Sequence, residues 1–309
     1  MQALLDIVLP VFVVIGFGYL AAWRGLFSES AVDGLAKFTQ NFAIPCLLFR
    51  AISQIDLGAS ISFALLFTYY FGAFASFFAG YLGARVFFDR NKVDAIAIGF
   101  CCLFSNTILL GLPITERAYG AAALSANFAI ITFHAPLGYM LGVTLMEIAR
   151  SGQSDAGGKA ARVLRAMFRN PFVIAIALGL IANVTGLALP GVLLDGIDLI
   201  ATAGLPAALF SLGGILCRYR PEGDMKTILM ISSISLIMHP LLVFGMGKAV
   251  ALDTDAFRSA VLTAAMAPGV NTYLFASMYG AALRVTAASV LISTAVSIFT
   301  VWCWLIVLP

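Results

Sequence analysis

The chain has 309 residues, of which 61% are hydrophobic and only 11% charged, and its mean hydropathy is +1.01. Soluble domains carry about 25% charge, so the composition excludes one and marks an integral membrane protein built from apolar runs of helical length. The net charge of +3 does not argue for nucleic acid, because the basic residues gather between those runs, and five cysteines without a CxxC pair indicate neither a zinc site nor a disulfide framework.

About ten spans are expected in chain order. The first, Leu4–Ala22, has Asp6 as the only charge at its start and no basic leader, which predicts a retained helix and not a cleaved signal. The second, Val32–Phe49, carries Lys37, a mid-span polar patch of Thr39, Gln40 and Asn41, and then Pro45, which removes a helix hydrogen bond and bends the span. After Ile61–Gly83 comes a fourth span, Asp94–Thr115, interrupted by Ser105-Asn106-Thr107 and then by Gly111-Leu112-Pro113. The fifth, Ala121–Ile148, is long enough to tilt or protrude and contains His134 ahead of Pro136. Pro171–Leu189 and Val192–Cys217 follow, the latter holding Thr202 and Pro206. Ile228–Val250 holds His239 before Pro240, and Phe257–Tyr279 is broken by Pro268-Gly269-Val270-Asn271-Thr272-Tyr273. Val285–Leu308 completes the set.

With the N-terminus outside, 14 of the 18 Lys and Arg residues fall on the inner side and 4 outside, so both termini are expected to be extracytoplasmic. The basic, Gly-containing stretch 150–170 reads as a cytoplasmic linker between residues 1–149 and 171–309. The two parts repeat. Pro10 and Pro171, Gly18 and Gly179, Gly25 and Gly186, and Pro45 and Pro206 are all separated by 161, while Asn106 and Asn271 are separated by 165. Five spans per repeat forces the two copies into opposite orientations, the arrangement of carriers that alternate access around a midplane site.

Broken backbone survives at mid-bilayer only where protein or a water-filled cavity covers it. The breaks at Asn106-Thr107 and Asn271-Thr272 would leave free N–H groups and positive dipole ends, which suit a carboxylate. Asn and Thr at such places can instead tie helices together. Gln40, Asn41 and Tyr273 are further substrate-facing candidates, and Pro45, Gly111, Pro113, Pro206, Pro268 and Gly269 are the helix-breaking residues. His134 could relay a proton, as could Glu116 beside the Gly-Leu-Pro break, with His239 a weaker candidate. Neither HExxH, Walker A, GxSxG nor a dinucleotide fingerprint is found, so no enzyme, metal or cofactor is expected.

Asn106-Thr107 leading to Gly111-Leu112-Pro113-Ile114, the stretch Ile44-Pro45-Cys46-Leu47-Leu48-Phe49, and Pro268-Gly269-Val270-Asn271-Thr272-Tyr273 together resemble the auxin efflux carrier family. The family includes plant PIN carriers and bacterial permeases described for malate or malonate, and the short linker fits a bacterial member. The resemblance implies an all-α membrane protein of ten helices in two inverted five-helix repeats, with the fourth and ninth broken and crossing. It also implies a scaffold of spans one, two, six and seven that dimerises, a moving unit of the rest, and an anionic carboxylate near Asn106 and Asn271. The expected function is an inner-membrane secondary transporter of a small organic anion by an elevator-like or rocking motion. The alternatives are a sodium- or proton-coupled carrier of bile-acid-symporter or antiporter type, and a membrane receptor that binds without transport.

Overall fold

The computed structural model describes residues 2, 4–54, 62–150, 171–187 and 189–309, and among them every regular element is helical. Of the linker assigned to 150–170 only Arg150, the end of a helix, is described; the remainder, and the start assigned to the third span at Ile61, lie outside the described residues.

The helices run in order: α1 (Leu9–Trp23), α2 (Glu29–Phe38), α3 (Ile44–Gln54), α4 (Phe63–Phe87), α5 (Lys92–Leu103), α6 (Leu112–Tyr119), α7 (Leu124–Arg150) and α8 (Pro171–Thr185). They continue as α9 (Gly191–Thr202), α10 (Gly204–Leu216), α11 (Met225–Ser233), α12 (His239–Ala249), α13 (Thr254–Ala264), α14 (Val270–Tyr279) and α15 (Leu283–Val307). Six continuous stretches among the described residues, including Leu4–Trp23, Phe63–Phe87 and Leu283–Val307, are long and apolar enough to cross a membrane. Side chains such as Phe17, Trp23, Phe63, Phe78, Val192 and Leu199 are exposed, the pattern of a surface solvated by lipid.

Polar residues start the helices where the chain leaves the apolar zone. Ser28, Asn91, Asp224 and Asp253 each accept a hydrogen bond from a first-turn N–H of α2, α5, α11 and α13. Asp224 also takes the Thr227 hydroxyl at 2.6 Å, which holds its carboxyl below the ordinary aspartate value, and it meets Arg90 at 3.4 Å.

Prolines shape the interior. The π turns Leu4–Val8, Thr39–Ala43, Thr107–Gly111 and Ile234–Met238 each end two residues before a proline: Pro10, Pro45, Pro113 and Pro240. Proline lacks an N–H, and its ring pushes on the carbonyl four residues back. The turn ahead of it therefore widens, so that Ile44, Leu112 and His239 donate to Thr39, Thr107 and Ile234, five residues back. The bend expected at Pro45 takes this form. At Pro206 the helix instead restarts, with Ala203 separating α9 from α10 and the proline in the first turn of α10. Pro136 lies inside an uninterrupted α7.

Two groups of helices result. In one, α1 packs on α10, α10 on α2, and α3 on α8 and α9. In the other, α4 packs on α5, α12 and α13, α7 on α5 and α13, and α15 on α11 and α14. The groups meet through an apolar cluster in which Ile44, Leu48 and Ile52 of α3 contact residues including Leu112, Leu124, Phe128 and Ile131. Within the first group helices approach to backbone contact. A Cβ on Gly18 would lie 1.9 Å from the Phe210 carbonyl oxygen, and one on Gly213 would lie 1.9 Å from that of Ile15. A Cβ on Gly179 would lie 3.1 Å from the Phe49 carbonyl oxygen. Adding 161 to Gly18 gives Gly179, and adding it to Phe49 gives Phe210, so the Gly18–Phe210 and Gly179–Phe49 contacts are exchanged by the repeat offset.

Gly18→Ala and Gly213→Ala are each expected to destabilise by about 1–3 kcal/mol, because rigid backbone must move. Gly34→Ala, with nothing within 4 Å of the new Cβ, should be neutral or gain up to about 1 kcal/mol from helix propensity. Thermal unfolding of the three variants in detergent checks the contrast.

Candidate functional site

The site is built where two helices stop. α5 ends at Leu103 and α13 at Ala264, and the segments that follow run antiparallel with Ser105 opposite Pro268. The Asn106 N–H donates to the Ala267 carbonyl at 2.8 Å, and the Gly269 N–H donates to the Phe104 carbonyl at 2.9 Å. Pro268 has no N–H to give a helix and disfavours helical geometry at Ala267. Asn106 competes with the helix through its own side chain, whose Oδ1 accepts from the Leu109 N–H at 3.2 Å and so caps the next turn. Phe100 and Phe275, stacked with centroids 4.0 Å apart, pack α5 against α14 beside the crossing.

Beyond the crossing, the chain re-enters helix at Thr107 and at Val270, and both new N-termini border one small cavity of about 60 Å³. Its polar lining is Gln40, Ser105, Asn106, Thr107, His134 and Asn271, and its apolar wall includes Ile131, Phe172 and Ile176. Among the described residues, no Asp, Glu, Lys or Arg lines it. The first N–H groups of α14 have no intrahelical acceptor, and Gly269 offers no side chain to cap them. Asn106 is 5% exposed, and its Nδ2 has no partner. A buried amide donor left open is costly. Together these groups form a neutral, donor-rich pocket at two positive dipole ends, which is chemistry for a carboxylate.

The structure gathers only some of the sequence candidates. Gln40, Asn106, Thr107, His134, Gly269 and Asn271 share the cavity. Asn41, one residue from Gln40, is exposed and lines a separate apolar crevice of about 520 Å³ with Pro45 and Cys46. Thr272 is fully buried, with its hydroxyl donating to the Gly269 carbonyl at 2.7 Å and accepting from the Cys101 thiol at 3.6 Å. Tyr273 packs on Tyr219, centroids 5.0 Å apart. Gly111 is buried in its π turn, and Pro268 is buried in the crossing. Pro113, Glu116 and Pro206 line a larger open cleft of about 790 Å³, which also holds Arg117 and the Arg50–Asp198 ion pair at 2.8 Å. Lys37 is exposed.

Sequence reasoning missed the partners of the histidines. The Tyr69 ring lies between His134 and His239, with centroids 5.7 and 5.5 Å away. Its hydroxyl is 3.4 Å from His134 Nδ1, and the Ser105 hydroxyl is 3.4 Å from His239 Nδ1. It also missed Asn127, whose Nδ2 donates to Thr263 at 2.8 Å and to Thr115 at 3.3 Å, tying α7 to α13 and α6. The available signal in each case was a polar side chain at mid-span. No group of three or more His, Cys, Asp or Glu gathers to hold a metal among the described residues.

Comparison with known proteins gives the class. Residues 3–305 match the family described as "Membrane transport protein", and the chain belongs to it; this is the auxin efflux carrier family that the motifs resemble, a family of transporters and not of enzymes. The chain is 26% identical over 303 residues to the "Putative malonate transporter" of Rhizobium meliloti (strain 1021), covering 97% of this chain and 94% of the relative. It is 25% identical over 307 residues to "Uncharacterized transporter YfdV" of Escherichia coli (strain K12), covering 97% and 96%. It is 22% identical over 322 residues to "Auxin efflux carrier component 8" of Arabidopsis thaliana, covering 87% and 88%.

Asn106→Ala removes both the cap on Leu109 and the open donor, and should cost about 1 kcal/mol of stability. Asn106→Ser retains a capping oxygen and should unfold near the wild-type temperature. Thermal unfolding of the two variants measures the difference.

Proposed function

We propose that this chain is a secondary transporter of a small organic anion, whose carboxylate binds in the cavity at the crossing by alternating access. The observation that carries the reading is the buried Asn106 amide nitrogen, without a partner, beside the uncapped N-terminus of α14 in a cavity whose described lining holds no acidic side chain. The cavity's size favours a short mono- or dicarboxylate over a ring system, in keeping with the name borne by the Rhizobium relative.

Alternating access is supported by two openings at different levels. The cavity borders Gln40, Thr107 and His134, and the cleft borders Arg50, Glu116 and Leu124, further along the same stretches of chain. Between them lies the apolar cluster of Leu48, Leu112, Phe128 and Ile131, which would part as the second helix group moves past the first. The contacts exchanged by the 161 offset support two inverted five-helix repeats. The basic-residue bias supports extracytoplasmic termini in a cytoplasmic membrane.

The test is thermal stability of the purified protein against malonate, malate, indole-3-acetate and sodium, followed by flux of the stabilising acid into liposomes. A ligand at a hundred times its Kd stabilises by about 2.7 kcal/mol. One acid is expected to stabilise the wild type, to bind at least about tenfold more weakly to Asn106→Ser, and to enter liposomes. Stabilisation without flux would make the protein a receptor, and stabilisation by sodium alone would overturn the anion site.

A further inference from the structure

The cavity borders a second buried polar side chain with an open nitrogen. His134 is 2% exposed and is the only titratable residue in the lining among the described residues. Its Nδ1 faces the Tyr69 hydroxyl at 3.4 Å, and its Nε2 has no protein partner. A ring with one nitrogen engaged and the other open can take a proton or a ligand oxygen at the open one. His239 differs: its Nδ1 faces Ser105, and it lies across the Tyr69 ring, outside the lining.

The surroundings of His134 are polar but uncharged. α4 contributes Tyr69, and Tyr70 through its bond to the Ile130 carbonyl one turn before the histidine. The crossing contributes Ser105 and Phe104, the latter with its ring centroid 4.5 Å away, and Gln40 faces the same cavity. Tyr139 packs on Phe104 from α7 itself. A carboxylate brought among such groups is weakly screened, and two helix N-termini supply only partial positive charge. The one full counter-charge the described lining can accept is a proton on His134.

We infer that His134 binds one proton together with the anion, so that the carrier moves anion and proton as a pair. This rests on the carboxylate reading above. As the anion enters, the Nε2 lone pair takes a proton from water and the imidazolium N–H donates to a carboxylate oxygen. When the anion leaves on the opposite side, the proton leaves with it. A monocarboxylate then crosses without net charge and a dicarboxylate with one negative charge.

The bound state holds one more proton than the free state, so affinity rises as pH falls, by up to about tenfold per pH unit. Calorimetry of malonate binding in two buffers of different ionisation enthalpy counts the protons, run between about pH 6.5 and 8, above the range in which carboxyls titrate. The wild type should take up about one proton per malonate. His134→Gln, which keeps a neutral donor, should bind more weakly, with no uptake and a flat pH dependence. Wild-type binding without proton exchange, or the same uptake in His134→Gln, overturns the inference and leaves the carboxylate site standing. Absence of malonate binding to the wild type removes that site and the inference with it. The wild-type count needs no variant, so a misfolded His134→Gln does not blunt the test.

Discussion

Hydrocarbon offers no hydrogen bonds, so a chain that breaks a helix at mid-bilayer must find partners for its freed backbone groups within the protein. Here the two broken segments find each other. The Asn106–Ala267 and Gly269–Phe104 bonds satisfy the interruption of α5 with that of α13. Either break alone would leave its groups unsatisfied at a cost of several kcal/mol. Once they are paired, the geometry of the site follows: two new helices must begin at the crossing, and their N-termini open toward the same space.

Around that pairing the second helix group is held by polar knots in an apolar setting. Asn127 binds Thr263 and Thr115, Ser232 meets Ser293 at 2.8 Å, and Thr272 links Cys101 to the Gly269 carbonyl. Such bonds between membrane helices are each worth on the order of 1 kcal/mol. They are directional, and they fix the crossing within its group. The contact between the groups is of another kind, formed by side chains such as Leu48, Leu112 and Phe128. Apolar side chains form most of this meeting, with Arg117 also donating to the Asp6 carbonyl at 2.6 Å, whereas the glycine contacts of α1 with α10 bring backbone against backbone.

The family relationship is shallow in identity and complete in extent, with 22% and 26% identity to relatives named for auxin and for malonate. At that distance the constraint shared along the chain is the architecture, and on the proposed reading the substrate depends on the few side chains that line the cavity. Among the described residues those side chains include no Asp, Glu, Lys or Arg and one histidine. On the proposed reading, charge balance for the anion falls on helix dipoles and on that ring.

Much was legible in the sequence, because a bilayer makes composition and depth decisive. The membrane class and the breaks at Asn106 and near Pro268 follow from which residues can lie in hydrocarbon and which cannot. What the sequence could not decide was which of the mid-span polar groups face one another. Each residue turns about 100° around a helix axis, so Gln40 reaches the cavity while Asn41 faces outward, and Thr272 binds back to Gly269 beside a cavity-lining Asn271. The π turns ahead of Pro45 and Pro113 alter that rotation locally. The meeting of Tyr69 with His134, 65 positions apart, exists only because α4 and α7 pack together. Hydrogen-bonding capacity belongs to the sequence, whereas its pairing depends on helix rotation and on neighbours distant in the chain, which only the tertiary structure sets.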